Sequence, residues 1–444
     1  MNSVALHNLG CKTNAYELDV LQQMLQERGC TIVPFDEVAD VYLVNTCSVT
    51  NIADRKSRQM LHKAKKLNPS AIVVAMGCYV QMNEEQVCED TQIDLVIGNN
   101  KKKDVLTILE EFIRIREEEQ ICDKTLAHTT IIDVNEGCEY EEMKRTHTGK
   151  NTRATIKIQD GCNQFCTYCI IPYARGRVRS RQVESILEEV KDLSRNGYQE
   201  FVLTGIHISS YGVDWEIPIS LLELVEEIHE IEGVRRIRLG SLEPRIITED
   251  FVQRIAKLTK VCPHFHLSLQ SGSDTVLKRM NRRYTKSEYY EKVQLLRRYL
   301  DAPAITTDLI VGFPEETDEE HEETIRFVEL VKFAEAHIFK YSKRKGTKAA
   351  QMKGQVASGD KARRSEQLIA LTKFHRQQYQ EAFVGKEIEV IYEEEKEIEG
   401  IIYQVGYTRE YCKVARKSQE NLVNIIRKAS VKGRKSQEIM EIIE

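Results

Sequence analysis

Cys162, Cys166 and Cys169 stand as C-x3-C-x2-C inside Gln159-Asp-Gly-Cys-Asn-Gln-Phe-Cys-Thr-Tyr-Cys-Ile-Ile-Pro172. Three soft thiolates in one short loop are one ligand short of a closed structural zinc site, which takes four. Thiolates favour iron–sulfur clusters. A four-iron cluster held by three cysteines keeps one iron open for another ligand, so the loop reads as a cluster site that performs chemistry.

Three more cysteines share a different relationship. Cys11 lies two residues beyond a predicted strand over 4–9, Cys47 two beyond one over 41–45, and Cys78 two beyond one over 71–76. In an open parallel α/β sheet the carboxyl ends of the strands share one rim, and ligands bind there. This spacing allows a second converged thiolate trio. It equally allows three unrelated cysteines buried as small hydrophobes. Cys30, Cys88, Cys122, Cys138, Cys262 and Cys412 match no ligand spacing and read as packing residues.

The elements that must carry these residues fall into three blocks. Residues 1–116 alternate strands with helices, and the helical stripe Leu18, Leu21, Met24, Leu25 stops at Gly29. This predicts an open parallel-sheet α/β domain. A weaker pattern over 117–145 predicts a linker with one strand. From 146 to 378, strands near 154–158, 200–204, 236–239, 264–269, 304–309 and 335–340 alternate with helices, which fits a partial, TIM-like (β/α)6 barrel working at its carboxyl rim. Residues 379–444 hold short β-rich pieces at 386–392, 399–404, 411–415 and 422–426, a small all-β domain of OB-like size.

With 444 residues, 41% hydrophobic and 30% charged, the chain is long enough for several cores. No run has the length of a membrane span, and the first residues lack a signal-peptide pattern, so a cytoplasmic location is expected. In that reducing compartment cysteines serve more often as metal ligands than in disulfides. The net charge of −5 leaves nucleic-acid binding to local patches. Basic runs occur at 55–66, 101–103, 175–181, 278–283 and 340–348. Arg175, Arg177, Arg179 and Arg181 follow the cluster loop, and their guanidinium forks suit phosphate oxygens. A solvated charged face is the alternative for each run.

Together these residues resemble the radical-SAM methylthiotransferases along essentially the whole chain. Cys162, Cys166 and Cys169 match that family's radical-SAM cluster ligands, and Cys11, Cys47 and Cys78 match its amino-terminal cluster ligands. The β-rich tail resembles the RNA-binding TRAM domain, though 421–444 shows no clean final strand. The segments 9–17, 45–50 and 160–176 are most similar to the MtaB type, which modifies threonylcarbamoyladenosine beside the tRNA anticodon. The resemblance implies two 4Fe–4S clusters, S-adenosylmethionine, the anticodon loop of tRNA, an electron donor such as flavodoxin or ferredoxin, and a sulfur donor. It places Tyr168 near the adenine of the cofactor, with simple packing as the alternative. It also places Gly205, Ser241, Glu243, Gln270 and Gly312 on the cofactor-holding rim, the two glycines serving either close ligand approach or turns. Asp308 takes a substrate role. Rival readings are a methylthiotransferase for isopentenyl-adenosine or for a ribosomal-protein aspartate, and a non-catalytic iron–sulfur RNA-binding protein.

Overall fold

The computed structural model describes residues 2–118, 128–136, 139–145 and 152–443; Cys122 and Cys138 lie outside them. The first domain is a six-stranded parallel sheet of β1 (Ser3–Asn8), β2 (Thr31–Val33), β3 (Val41–Thr46), β4 (Ile72–Gly77), β5 (Leu95–Ile97) and β6 (His128–Thr130). Its order is β2-β1-β3-β4-β5-β6. The winding direction reverses between β1 and β3, which opens a crevice outside their carboxyl ends. Helix α1 (Lys12–Glu27) covers one face, burying Tyr16, Val20, Leu21 and Leu25. Helix α2 (Asn51–Leu67) covers the other. The Thr50 side chain caps its first turn by accepting from the Ala53 amide, and Asp54 sits near the positive end of the helix dipole.

The expected linker is not a free connection where it is described. β6 belongs to the first sheet, Met143 packs into that domain's core, and Arg145 is buried between Asp19 and the Thr155 carbonyl. The short edge strand β2 gave no readable alternation.

The central domain contains β7 (Arg153–Asp160), β8 (Arg179–Ser180), β9 (Glu200–Gly205), β10 (Arg236–Leu239), β11 (His264–His266), β12 (Ala304–Val311) and β13 (Glu335–Lys340). Six of these run parallel in the order β7-β9-β10-β11-β12-β13, with isolated bridges such as Leu242 to Leu267 joining β10 to β11. Alternate residues (Ile156, Leu203, Ile237, Phe265, Ile305, Leu309) pack outward against the helices. The opposite, concave face carries Lys157, Glu200, Arg238, His266 and Asp308.

The tail is a closed five-stranded barrel of β14 (Glu387–Ile398), β15 (Ile401–Thr408), β16 (Lys413–Lys417), β17 (Ile426–Arg434) and β18 (Ile439–Ile443). This corrects two expectations. Residues 422–425 form a turn rather than a strand, and a final strand closes the barrel. The alternation was hidden because β17 buries only Ala429 and Val431 among charged neighbours.

This barrel seals the amino end of the central strands. Arg236 reaches Glu389 at 3.0 Å and the Tyr407 carbonyl at 3.1 Å. Arg238 donates to the carbonyls of Arg409 and Thr408, and Arg153 donates to the Tyr411 hydroxyl at 2.7 Å. Buried Glu200 binds Arg238 at 2.8 Å and lies 3.5 Å from Arg236. Burial pushes its carboxyl up, but Arg238 and Arg236 outweigh this and hold it below the usual range. That stabilisation is therefore present above about pH 4.3 and lost as pH falls through the lowered value. Glu200→Gln should leave the buried Arg238 guanidinium without its carboxylate, weaken the hold on Arg236, and cost about 3–5 kcal/mol. Limited proteolysis should then release the tail earlier than in wild type; an unchanged cleavage rate would refute this role.

Candidate functional site

Cys11 caps α1 just after β1, Cys47 follows β3 directly, and Cys78 opens helix α3 (Cys78–Met82) directly after β4. The winding reversal thus brings Cys11 and Cys47 to one crevice, with Cys78 on the next strand. Gly10 makes the approach possible. Its φ is +105°, and a Cβ there would lie 2.8 Å from both Cβ and Sγ of Cys47. Burial, the largest cause, pushes Cys47 up to about 11, and the neighbouring Cys78 and Cys11 push it the same way. Polar side chains surround them: Asn99 Nδ2 stands 3.6 Å from Cys78 Sγ and Cys11 Sγ 3.9 Å from Asn14 Oδ1.

The second trio sits in the loop after β7. The Gln164 amide points at Cys162 Sγ at 3.4 Å, and Arg282 points at Cys166 Sγ at 3.4 Å. Burial pushes Cys162 up to about 11 and Cys169 up to about 12. Thiols this basic stay protonated near neutrality unless a metal displaces the proton. Among the described residues no group of three or more His, Cys, Asp or Glu is placed to hold a single metal ion. A single ion draws its thiolates to about 2.3 Å, whereas a cluster binds each on a separate iron. Three thiols in each set, with N–H donors aimed at the sulfurs of Cys78, Cys162 and Cys166, fit a 4Fe–4S cluster at each trio.

The two trios are neighbours. Helix α3, begun by Cys78, packs against the helix Ile171–Arg175 that follows Cys169. Asn99 bridges them by donating to the Ala174 carbonyl at 2.7 Å. Arg175 closes the contact, donating to Asn14 at 2.5 Å, Glu17 at 2.8 Å and Asp160 at 2.9 Å. Lys157 joins Glu17 and Asp160, and Lys102 joins Glu17. Burial disfavours both carboxylates, but Arg175 with the lysines holds Glu17 well below the usual range and lowers Asp160. On the other side Arg344 clamps Ser48 Oγ at 2.7 Å and Asp54 at 2.8 Å, beside Cys47.

The remaining expected site residues divide. Three of the four arginines are corrected: Arg175, Arg179 and Arg181 are buried and taken up internally, Arg179 by the Arg175 carbonyl and Arg181 by Glu189. Arg177 is exposed, with its guanidinium 4.5 Å from the centre of the Phe165 ring. Phe165 has φ +48°, a left-handed conformation costing about 1–3 kcal/mol, and meets exposed Tyr173 edge-on at 5.8 Å. Tyr168 packs beside Met280, Phe313 and Tyr341. At Gly205 and Gly312 the space a Cβ would fill belongs to Gln159 and Lys361, and Gly312 has φ +70°, as a turn glycine does. Glu243 lies at the rim, accepting from Arg245 at 2.7 Å, and Ser241 is exposed beside it. Gln270, with φ +74°, bridges to β12 through the Asp308 carbonyl and the Ile310 amide. Asp308 faces His266 at 3.4 Å on the concave wall.

Sequence reading missed Glu17, Asn99 and Phe165, and held Arg282 and Arg344 only as members of the basic runs 278–283 and 340–348. Only Asn99, two residues past β5, carried a strand-end signal comparable with the cysteines.

Two sequence families match: the Radical SAM superfamily over residues 156–328 and Uncharacterized protein family UPF0004 over 3–98. The chain is 39% identical to the threonylcarbamoyladenosine tRNA methylthiotransferase MtaB of Bacillus subtilis, over 97% of this chain and 94% of that one. It is 36% identical to the tRNA-2-methylthio-N(6)-dimethylallyladenosine synthase of Moorella thermoacetica, over 86% and 85%. In fold it is similar to the radical S-adenosylmethionine methyltransferase TsrM of Kitasatospora setae, with TM-score 0.54 and 15% identity over 77% of this chain and 75% of that one.

Arg175→Met should leave Glu17 and Asp160 short of a cation and cost about 3–5 kcal/mol. Depressed carboxylates stabilise above their unfolded values and lose this as pH falls. The acid-unfolding midpoint, followed by circular dichroism, should therefore move to higher pH; an unmoved midpoint would exclude Arg175 as the brace.

Proposed function

We propose that this chain, which belongs to the MtaB-type radical-SAM methylthiotransferases acting on tRNA, adds a methylthio group to carbon 2 of N6-threonylcarbamoyladenosine at position 37, beside the anticodon. The observation that carries this is the match to MtaB over nearly the whole chain, together with two cysteine trios meeting at one domain interface. Cys162, Cys166 and Cys169 hold one 4Fe–4S cluster and Cys11, Cys47 and Cys78 a second. When bound, these supply the electron that cleaves S-adenosylmethionine and a place from which sulfur is delivered.

The protein's own part is positioning and shielding. Arg282 and the Gln164 amide orient the Cys166 and Cys162 sulfurs. Tyr168 walls the cluster loop. Glu243, Ser241 and Gln270 offer polar groups to the cofactor at the strand ends, where barrel enzymes carry their sites. The target base must leave its stack, at a cost of a few kcal/mol. Phe165, Tyr173 and Arg177 present ring faces and a cation at the rim, which suit neighbouring bases and phosphate. An electron donor and a sulfur donor complete the partners. Among the described residues no helix is long and apolar enough to cross a membrane.

Two measurements test this reading. Iron content should fall from about eight to about four per chain in Cys47→Ala and in Cys166→Ala, since each variant loses one cluster's cysteine ligation; wild type with only about four irons would contradict the two-cluster reading. Nucleoside mass spectrometry of tRNA from a deletion strain should show the methylthio-threonylcarbamoyl product gone and its unmodified precursor retained. Loss of the isopentenyl product instead would assign the other substrate.

A further inference from the structure

The cations on the concave wall are nearly all paired. Arg153 is held by Glu393 and Tyr411, Arg236 by Glu389, and Arg238 by Glu200 and two tail carbonyls. The carboxylates are taken too, Glu394 lying 3.5 Å from Lys413. Lys12 differs. It directly follows Cys11 and lines a cavity of about 340 Å³ with Arg153 and Thr155 of β7 and with Glu393, Glu394, Tyr407 and Tyr411 of the tail, where Glu393 is held by Arg153 and Glu394 lies near Lys413. Among the described residues its side chain has no hydrogen-bond or ion-pair partner. Its charge reaches His264, two residues before His266, which bonds Thr306 at 3.1 Å and faces Asp308. The wall thus carries polar groups from Lys12 to Asp308, and on β13 His337 is exposed.

A strongly hydrated ammonium, unpaired in a walled cavity one residue from a cluster ligand, is suited to an anion that arrives with the substrate. The N6 substituent of threonylcarbamoyladenosine carries a carboxylate on the same base whose carbon 2 reacts; an isopentenyl group carries none. We infer that Lys12 is the anchor for that carboxylate, and so a specificity-determining residue. The inference rests on the substrate reading above. Threonylcarbamoyl then enters a polar wall that an apolar substituent would desolvate without compensation.

The test is binding, measured by fluorescence anisotropy with anaerobic holoenzyme. The probes are an anticodon stem-loop RNA bearing threonylcarbamoyladenosine and the same RNA with the carboxylate as its methyl ester. Wild type and Lys12→Arg should prefer the acid by about tenfold to a hundredfold, the range expected of a charge-assisted hydrogen bond. In Lys12→Met and Lys12→Gln the preference should collapse to near one. The ratio is taken within each protein, so a general loss from disturbance beside Cys11 cancels, and iron content shows whether the cluster survives. A preference retained in both neutral variants overturns the inference, as does a wild type indifferent to esterification. Equal weakening of both RNAs, with a shallower salt dependence, would assign Lys12 to backbone phosphate and overturn it equally. Formation of methylthio product by wild type on the acid RNA checks the substrate reading separately. Product formed, with the preference unmoved in the neutral variants, refutes Lys12 alone; no product refutes the substrate reading and the anchor with it.

Discussion

Three buried cations, Arg175, Lys157 and Lys102, share the carboxylates of Glu17 and Asp160 at the joint between two domains. Ions of both signs leave water there, which is costly unless every partner is in place. Glu17 comes from α1, the helix begun behind Cys11. Arg175 ends the helix behind Cys169, and Asp160 precedes the loop of Cys162. The joint can satisfy its charges only when α1 seats against the inner side of β7. The same seating sets one cysteine trio beside the other, so spacing between the two sites is coupled to the electrostatics of the interface rather than to linker length.

The strand-end cysteines were legible because they depend on a rule of topology. Parallel strands present their carboxyl ends to one side, and a residue just past each end falls there whatever the sheet order. The order itself, with its reversal between β1 and β3, was not legible, since local periodicity does not encode which strands pair. The arginines were misread for a related reason. Their place just after the cluster loop gave nearness but not side-chain direction. Gly176, with φ +72°, ends a helix and turns the chain, so Arg175 points inward, Arg177 outward and Arg179 begins a short antiparallel strand.

Glu17 shows the limit most clearly. In Thr13-Asn-Ala-Tyr-Glu17 a glutamate on a helix reads as solvent-facing, because isolated carboxylates are almost never buried. Its environment is made by Lys102, Lys157 and Arg175, from three distant segments. No window along the chain contains that information. Arg344 is a case of the same kind, reaching the loop of Cys47 from another part of the fold.

The concave wall is where the architecture departs furthest from a filled barrel. A closed eight-stranded barrel packs its interior with layers of branched apolar side chains. Here six strands leave a gap, the small β-barrel closes the amino end, and the interior holds arginine–glutamate pairs, histidines and an aspartate. Such groups add little net stability over apolar packing, so their presence is not explained by folding. The seal at the amino end uses Arg153, Arg236 and Arg238, which ties them into fixed pairs and keeps them from competing for a ligand. Lys12 meets the seal at the cavity it shares with Arg153, Tyr407 and Tyr411, while His266 and Asp308 face each other on the concave wall and His337 is exposed on β13. A wall of that chemistry discriminates by refusing to be desolvated without polar partners, which apolar packing against the same strands would not do.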